Sequence, residues 1–500
     1  MHTVKEGNAK VELPQGRVFY NPTQVFNRDF SCLSIQAFAE LYFEHQAKRN
    51  DELKELHGDA ADLFEKDGLT LFEALGASGL RSLRYATELP RSLVKKITCN
   101  DIDPVAVEDQ IHNRKLNNLA EDHFECSLGD AIEVLQKHRK NHFDIVDLDP
   151  YGAPGIFLDS AINATADKGL LLVTSTDLQV LCTTMQPDQC FIRYGAVSAI
   201  NPACHEIGLR IAIYSVQQCA AKYSIYAEPI LSFHHNHYQR VMFRIHRRRK
   251  IGAKEAFASQ GFMANCPSCT AFWFQPFGQL QPHAEKDVNV CKGSQIALPG
   301  QSCPCCGCTL SMAGPMYLGP IHQEEFINKC QDVLAREDTT LNLKTKPQIG
   351  ACLTYMKEEL ANPLFFTPSA ISRGLKVTVI RAAQWVSALN SLGYKTSVTH
   401  CCPEGIKTDA PIETVFDVLR AYIKKTYPEV YEKSENSLKK DLDADFEAKL
   451  NFDEPASGLF NKKERRSVGA VLFTPPPEEN WGPKAATVKV KTLHAKSRKE

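Results

Sequence analysis

The sequence predicts an α/β fold built on a doubly wound, mostly parallel β-sheet. Four short apolar stretches have the length of buried strands and end in small or acidic residues: 69–75, 97–99, 143–148 and 169–174. Helical stretches at 104–117 and 131–138 lie between them. Buried parallel strands that alternate with helices are typical of such sheets, which bind ligands beyond the carboxyl ends of their strands.

The chain has 500 residues, which is enough for more than one folded domain. Residues 1–250 are expected to hold the sheet, preceded by a hairpin around Gly7-Asn8 and a helix over 31–49. Residues 251–320 are enriched in Gly, Pro and Cys and predict a loop-rich module held by a metal. Residues 321–432 return to helical periodicity, with one long or two short helices over 373–392. Residues 433–500 are charged and expected to be partly disordered.

Composition and charge exclude several classes of protein. Hydrophobic residues make up 43% and charged residues 23%, which is ordinary for a soluble globular protein. No apolar stretch approaches the roughly 20 residues of a membrane helix. The net charge of −1 gives no global attraction to nucleic acid, but basic clusters at 244–250 and 462–499 suit local phosphate contacts or a solvated surface.

The cysteines indicate a reducing compartment. Most of the 18 cysteines are scattered singly through apolar segments, which is typical of free core thiols. The N-terminus lacks a secretory signal pattern. We therefore expect the protein in the nucleus or cytoplasm, and in mitochondria only if a longer form carries a presequence.

The first candidate ligand-binding element is the segment 72–81 (FEALGASGLR). It predicts a strand, a turn at Gly76 and Gly79, and the start of a helix whose free N–H groups face a ligand. A plain strand–helix turn explains this motif equally well. Asp101 ends the next strand, about 20 residues beyond the glycines, where a carboxylate can accept ribose hydroxyls. Asp103 is predicted to cap the following helix.

Two further strand ends complete the candidate site. The segment 129–131 (GDA) is placed to bond an adenine edge, although Asp130 also suits a helix cap. A nicotinamide-dependent enzyme that transfers hydride would use the turn at Gly76 and Gly79 to bind a pyrophosphate, and such a turn usually contains more glycines. The segment 147–152 (DLDPYG) joins an acid, a proline and an aromatic ring, which together can bond an exocyclic amine and stack on an extruded base.

Two C-x-x-C motifs predict a structural zinc site. Cys266 and Cys269 form the first, and Cys303 and Cys306 are favoured for the second because Gly307 allows a tight turn. The spacing leaves Cys305 and Cys308 open as an alternative pair, with His283 and Cys291 as weaker ligand candidates. A redox role is disfavoured because neither motif opens a helix.

Together these motifs resemble the eukaryotic and archaeal tRNA (guanine-N2-)-methyltransferases that form N2,N2-dimethylguanosine. The resemblance covers most of residues 3–430, and a vertebrate paralogue has closely related motifs. It implies a Rossmann-like class I fold that binds S-adenosylmethionine, a zinc-knuckle module and a C-terminal α+β domain that binds tRNA. The segments that carry it are 18–22 (VFYNP), 27–29 (NRD), 73–81, 100–101, 149–152, 176–177, 194–195, 205–210 (HEIGLR) and the paired cysteines.

The resemblance also implies the cofactor contacts. Arg28 and Arg81 would contact the methionyl end of S-adenosylmethionine. Asp101 would hold the ribose, and Asp130 with the Ala131 backbone would hold the adenine.

For the substrate, the resemblance implies that Asp149 receives the guanine N2 amine and that Phe19 and Tyr151 sandwich the base. Asp149 would orient the weakly nucleophilic amine and help to remove its proton. Position 26 of tRNA is the expected target, for one or two methyl transfers by a monomer. The alternatives are an RNA-binding protein without turnover and an amino methyltransferase that acts on another RNA, DNA or protein.

Other conspicuous residues are expected to be structural. His205 and Glu206 begin a helix and are expected to pack or cap. The histidines at 234, 235 and 237 are expected in a solvated turn or at a phosphate. The aromatic segments 272–274 and 365–366 are expected in the core.

Overall fold

The computed structural model describes residues 2–13, 20–57, 63–140, 142–247, 250–283, 289–434, 438–453, 458–460, 467–469 and 471–473. The expected basic tail beyond residue 474 lies outside them. The strands are β1 (His2–Glu6), β2 (Ala9–Leu13), β3 (Leu69–Glu73), β4 (Val94–Asp101), β5 (Phe124–Leu128), β6 (Phe143–Leu148), β7 (Thr165–Ser175), β8 (Tyr226–His235), β9 (Tyr238–His246), β10 (Gln260–Asn265), β11 (Phe272–Pro276), β12 (Gly278–Pro282), β13 (Asn289–Gly293), β14 (Ser311–Tyr317), β15 (Thr396–Thr399) and β16 (Cys402–Thr408). The helices are α1 (Val25–His57), α2 (Leu80–Glu88), α3 (Pro104–Leu116), α4 (Ala131–Lys137), α5 (Gly155–Ala164), α6 (Leu178–Leu181), α7 (Pro187–Tyr194), α8 (Cys204–Ala221), α9 (Lys250–Ala258), α10 (Glu324–Ala335), α11 (Lys346–Glu358), α12 (Pro368–Gly374), α13 (Ala382–Ser391), α14 (Ile412–Thr426), α15 (Pro428–Lys433) and α16 (Ala444–Lys449).

The central sheet has seven strands in the order β5-β4-β3-β6-β7-β9-β8. The strands from β5 to β7 are parallel, and β9 runs antiparallel to both of its neighbours. The chain fills the sheet outward from β3 in one direction and from β6 in the other, so the strand order reverses between them. Such a switch point opens a crevice at the carboxyl ends of its strands.

The four predicted strands are present, and a Rossmann-like sheet is confirmed. Every residue of β6 is buried, as the apolar pattern predicts. Alternate residues of β3 face the two cores: Leu71 packs with α1, whereas Phe72 packs with the core that contains Ile162 of α5 and Leu209 of α8. The sheet is therefore covered by helices on both faces.

The predicted hairpin is confirmed as β1 and β2, which turn at Gly7-Asn8. The backbone N–H groups of Lys10 and Glu12 donate to the side chains of Asn117 and Asn113, at 2.9 and 2.8 Å. These bonds occupy a strand edge that would otherwise be unpaired. The hairpin is thereby fixed beside α3 and the carboxyl end of the sheet.

A buried arginine joins the hairpin to the rest of the chain. Arg84 of α2 is fully buried and forms ion pairs with Glu6, Asp29 and Glu88. Asp29 also accepts bonds from the backbone and hydroxyl of Thr345, both at 2.7 Å. One guanidinium thus connects β1, α1, α2 and the segment before α11.

The cysteine-containing region has more regular structure than the sequence predicts. Strands β10, β11 and β14 form a three-stranded antiparallel sheet, and β12 pairs with β13. The expectation of a loop-rich module is wrong here because these strands carry no simple apolar alternation. All five residues of β11, for example, are half-buried.

The C-terminal region is α+β, as expected, with β15 and β16 paired among helices. The segment 373–392 contains only the end of α12 and the short helix α13, so neither one long helix nor two short helices fills it. A buried ion pair joins this region to α8: Lys407 of β16 lies 3.0 Å from Glu206 of that helix, and it also lies 2.9 Å from Glu359. Within the described ranges, no helix combines the length and apolar character needed to cross a bilayer.

Replacing Arg84 with Met is expected to lower the free energy of unfolding by about 3–5 kcal/mol, because three buried carboxylates lose their shared partner. Urea denaturation followed by circular dichroism measures this loss. The control is Arg91→Met, which breaks an exposed ion pair with Asp122 and should leave the midpoint unchanged. Equal midpoints for Arg84→Met and the wild type would contradict the stabilising role of this arginine.

Candidate active site

A cleft of about 490 Å³ opens at the switch point between β3 and β6. The hairpin and the start of α1 form one side, and the β3–α2 turn and the β6–α5 loop form the other. Most of the residues expected at the site line this cleft. Its lining comprises Val11, Leu13, Tyr20, Asn21, Gln24, Arg28, Glu73, Leu75, Gly76, Ala77, Ser78, Leu80, Arg81, Asp101, Asp149, Pro150, Tyr151, Ala153, Ile156, Phe157 and Thr176.

The glycine turn brings backbone to the floor of the cleft. A Cβ atom at Gly76 would lie 2.3 Å from Cys99 Sγ, so only glycine allows this approach to β4. Gly79 adopts φ of +79° directly before α2, a conformation that favours glycine. Asp101 is the last residue of β4, and its two carboxylate oxygens accept the N–H groups of Ala77 and Asp103. Each oxygen retains a further lone pair that can accept a ligand hydroxyl.

Asp149 lies at the end of β6 and is held by an arginine. Arg81 of α2 donates a short hydrogen bond to Asp149 Oδ2. The same guanidinium donates to Asn27 at 3.1 Å and to Ser31 at 3.3 Å. The Asp149 side chain keeps 17% of its surface exposed, so one part of the carboxylate faces the cleft while Arg81 fixes the other.

Two further carboxyl groups lie beneath this pair. Asp147 is fully buried between Arg240, at 2.8 Å, and the hydroxyl of Tyr85, at 2.6 Å. Burial raises the pKa of Asp147, but the charges of Arg240 and Arg81 outweigh it and hold the pKa below its usual range. Burial raises the pKa of Glu73 to about 7 despite Arg81, whose Nε lies 3.6 Å away. With Glu73 protonated, two carboxylates balance two guanidinium groups under the cleft.

Arg28 lines the cleft but is also bound within the protein. Its guanidinium donates two bonds of 2.6 Å to Glu6 and one of 3.1 Å to the carbonyl of Asn21. Burial opposes ionisation of Glu6, yet the bonds from Arg28 and the charge of Arg84 lower its pKa to about 2. The guanidinium also lies over the Tyr20 ring, 5.6 Å from its centroid. Arg28 therefore ties β1 to α1 at the edge of the cleft, a contact that the sequence did not reveal.

The aromatic ring expected to stack on a base is exposed. Tyr151 has 93% of its surface accessible and lines the cleft mouth. Its loop is held by Thr176, whose hydroxyl accepts the Gly152 N–H at 2.7 Å and whose N–H donates to the Gly152 carbonyl. Phe19, expected on the other side of the base, lies outside the described residues.

Asp130 and Ala131 stand apart from the other expected residues. The Asp130 carboxylate accepts the Ile132 N–H at 2.8 Å and caps α4, and Ala131 is buried. Neither lines the cleft in this structure. Asp103 caps α3 through the Val105 N–H, as predicted.

Four cysteines converge away from the cleft. The sulfur atoms of Cys266, Cys269, Cys303 and Cys306 all lie within 4.8 Å of one another. Cys266 and Cys306 are 3.4 Å apart, and Cys269 and Cys303 are 3.6 Å apart. Tetrahedral zinc with Zn–S bonds of about 2.3 Å separates its sulfurs by about 3.8 Å. The described Cys308 is exposed and outside this group, so the geometry favours the predicted set over Cys305 with Cys308.

Glu206 and the histidines near it are structural. Glu206 is buried against Arg210 and Lys407, which confirms its packing role. The prediction of a solvated histidine turn is wrong: His234 stacks on His205 with ring centroids 3.7 Å apart, and His235 stacks on Phe26 at 4.0 Å. Their rings fill space between α1, α8 and β8, which a local sequence pattern does not report.

Arg247 does not present its charge to a ligand either. Its guanidinium donates to the backbone carbonyls of Ile162, Asn163 and Thr165 at the end of α5. Cations stabilise helix C-termini in this way. Arg248 and Arg249, from the same predicted basic cluster, lie outside the described residues.

The family model of N2,N2-dimethylguanosine tRNA methyltransferases matches residues 2–420. A tRNA (guanine(26)-N(2))-dimethyltransferase of Caenorhabditis elegans is 35% identical and covers 85% of this chain and 81% of its own length. The Drosophila melanogaster enzyme of that name is 32% identical over 96% of this chain and 86% of its own. A Saccharomyces cerevisiae relative, named as mitochondrial, is 31% identical over 96% of this chain and 91% of its own.

A solved structure shows the same architecture. Trm1 from Pyrococcus horikoshii, determined in complex with S-adenosyl-L-methionine, superposes with a TM-score of 0.66 at 26% identity. The match covers 84% of this chain and 99% of that chain. The similarity thus extends well beyond the central sheet.

The raised pKa of Glu73 predicts a pH dependence of stability. A carboxyl group that is protonated in the folded state up to about pH 7, but ionises near pH 4.5 when unfolded, stabilises the fold at low pH. That contribution is lost as the pH rises between these values. Glu73→Gln cannot ionise, so its stability relative to the wild type should improve from pH 5 to pH 7.5.

Urea midpoints of both proteins at the two pH values measure this effect. Glu125→Gln, on the edge strand β5, is the control and should show no such gain, because Lys96 lowers the pKa of Glu125. An identical difference between Glu73→Gln and the wild type at both pH values would show that Glu73 is ionised in the fold.

Proposed function

The chain belongs to the N2,N2-dimethylguanosine tRNA methyltransferase family, and we infer that it transfers methyl groups from S-adenosylmethionine to the N2 amine of a tRNA guanine. The single observation that carries the inference is the position of Asp149, which Arg81 holds in the lining of a cleft of about 490 Å³, a volume within the range of small-molecule sites. The names of the relatives indicate position 26 as the target.

The described residues suit S-adenosylmethionine, which supplies a methyl group activated by its positive sulfur. Asp101 keeps free lone pairs for ribose hydroxyls, and the Gly76 turn brings backbone close to the ligand. For the methionyl end we propose Arg28 and Arg81, which line the cleft although both also bond within the protein. Asp130 and the Ala131 backbone remain the proposal for the adenine.

We propose that Asp149 accepts an N–H bond from the guanine N2 amine. This bond orients the amine lone pair, which is otherwise delocalised into the ring. The Asp149 carboxylate can also accept the proton that the amine loses on methylation. Arg81 acts as a positioning residue because its ion pair restricts the Asp149 carboxylate. Tyr151 stacks on the extruded base from the exposed side, with Phe19 proposed opposite. A second transfer requires the monomethylated amine to rotate and keep its remaining N–H on Asp149.

We propose that Cys266, Cys269, Cys303 and Cys306 bind one structural zinc ion. Their sulfur separations suit tetrahedral coordination, and all four cysteines come from turns that flank β10, β11 and β14. A closed four-thiolate site leaves no position for a reacting ligand, so its role is to hold the module together.

We also propose a tRNA partner, a role for each domain and a location. We propose that residues 1–250 carry the methyltransferase unit, 251–320 the zinc module, 321–432 a tRNA-binding domain and 433–500 a basic tail, in a monomer. None of the 18 cysteines forms a disulfide in the structure, which is consistent with the nucleus or cytoplasm, where thiols stay reduced.

Replacing Asp149 with Ala is expected to lower the rate of methyl transfer to unmodified tRNA by about 10²–10⁴-fold, because the amine loses its acceptor. The measurement is tritium incorporation from labelled S-adenosylmethionine, with cofactor affinity measured by equilibrium dialysis and expected to survive. Asp159→Ala, which removes an exposed carboxylate of α5 outside the cleft, is the control. Normal turnover by Asp149→Ala would refute the catalytic role, and loss of cofactor binding would assign Asp149 to the cofactor instead.

Replacing Cys269 with Ser is expected to remove bound zinc and lower the thermal unfolding midpoint together, since the metal supplies folding free energy. Inductively coupled plasma mass spectrometry measures the zinc content, and differential scanning calorimetry measures the unfolding midpoint. Cys308→Ser, which changes an exposed cysteine outside the cluster, should retain one zinc ion per chain. An unchanged zinc content in Cys269→Ser, or loss of zinc in Cys308→Ser, would overturn the assigned ligand set.

A further inference from the structure

An exposed patch of large apolar side chains lies beside the cleft. It consists of Met185, Phe191 and Ile192, called here the α7 patch, with exposures of 74%, 64% and 70%. Helix α7 buries Cys190 and Tyr194, and a helix that buries one side ordinarily carries polar residues on the other. Several large exposed apolar side chains in one short segment indicate a site of interaction.

Hydrogen bonds connect α7, through Thr176 and Asp177, to the β6–α5 loop that carries Asp149. Tyr194 and Arg193, at the end of the helix, both donate to the carboxylate of Asp177. The residue before it, Thr176, exchanges two hydrogen bonds with Gly152, three residues beyond Asp149. The α7 patch is therefore held in a defined place relative to the proposed catalytic acid.

The backbone of α7 also touches the rim of the cleft. A Cβ atom at Gly155 would lie only 2.9 Å from the Arg193 carbonyl oxygen, so α5 and α7 meet without a side chain between them. Ile192 precedes this contact on α7, and Ile156 follows it on α5. Ile156 lines the cleft and is 74% exposed. Exposed apolar side chains therefore lie next to this contact in the sequence of both helices, Ile156 at the cleft and Ile192 in the α7 patch.

We propose that the α7 patch packs against the bases next to the target guanine in tRNA. This inference rests on the proposed function, since it assumes that the guanine is extruded into the cleft. Extrusion leaves the neighbouring bases without a stacking partner. Phe, Ile and Met side chains cover such faces in proteins that open a base stack, and aromatic rings stack on any base. The contact between Gly155 and Arg193 brings α7 to the helix that carries Ile156 at the cleft, so the patch is within reach of RNA bound there.

The first test uses the double variant Phe191→Ala/Ile192→Ala and an unmodified transcript of a tRNA with guanine at position 26. Loss of one base–side-chain stack predicts a fall in kcat/KM for tRNA of about tenfold. Affinity for S-adenosylmethionine and the thermal unfolding midpoint should stay at wild-type values. The control is Leu56→Ala, which shortens an equally exposed side chain at the end of α1, outside the cleft lining.

The second test places the photoreactive p-benzoylphenylalanine at position 191 or at position 56 of the full chain. Crosslinks from position 191 to nucleotides that flank the target guanine, absent from position 56, would support the proposal. Crosslinks to a second copy of the chain or to distant nucleotides would overturn it. So would wild-type kcat/KM in the double variant. Absence of methyl transfer by the wild-type protein would instead refute the proposed function, which keeps the two failures distinguishable.

Discussion

The central constraint of this structure is the concentration of acidic groups at the carboxyl ends of β3 and β6. Glu73, Asp147 and Asp149 meet around Arg81, and Arg240 supplies a second buried cation. Burial of uncompensated charge is costly, so these groups fix one another in place. Glu73 and Asp147 are buried and stabilise the structure, whereas the Asp149 side chain remains partly exposed. The fold thereby presents one oriented carboxylate to the cleft.

The segments around the cleft depend on a second buried network. Arg84 connects β1, α1 and α2, and Asp29 extends the network to Thr345. Arg28 adds its pair with Glu6 on the cleft side of the hairpin. The wall that completes the cleft is therefore attached to the C-terminal region as well as to the sheet. This arrangement explains why residues far from the sheet in sequence contribute to a site at its edge.

Local sequence patterns are sufficient to predict much of the fold and of the site. The apolar segment before Asp149 predicts β6 because a strand buried on both faces has a continuous apolar sequence. The cysteine spacing predicts the four-sulfur cluster because tight turns fix both pairs. The edge strand β5 was missed because most of its residues are only half-buried or exposed.

Contacts between distant segments could not be read from the sequence. The pairs Arg81–Asp149 and Arg28–Glu6 depend on how α1 and α2 pack. The basic sequence around Arg247 suggests a phosphate ligand, whereas its guanidinium binds backbone carbonyls at the end of α5. Asp130 shows the converse: its sequence position allowed both an adenine contact and a helix cap, and the structure shows the cap.

The central claim is that the acid at the end of β6 directs methyl transfer to the N2 amine of one guanine. Mass spectrometry of nucleosides from tRNA incubated with the protein and S-adenosylmethionine tests it most directly, with a second transcript that carries adenosine in place of guanine 26. The account predicts N2-methylguanosine or N2,N2-dimethylguanosine from the first transcript and neither from the second. Methylation of a different nucleoside, or of both transcripts alike, would contradict it.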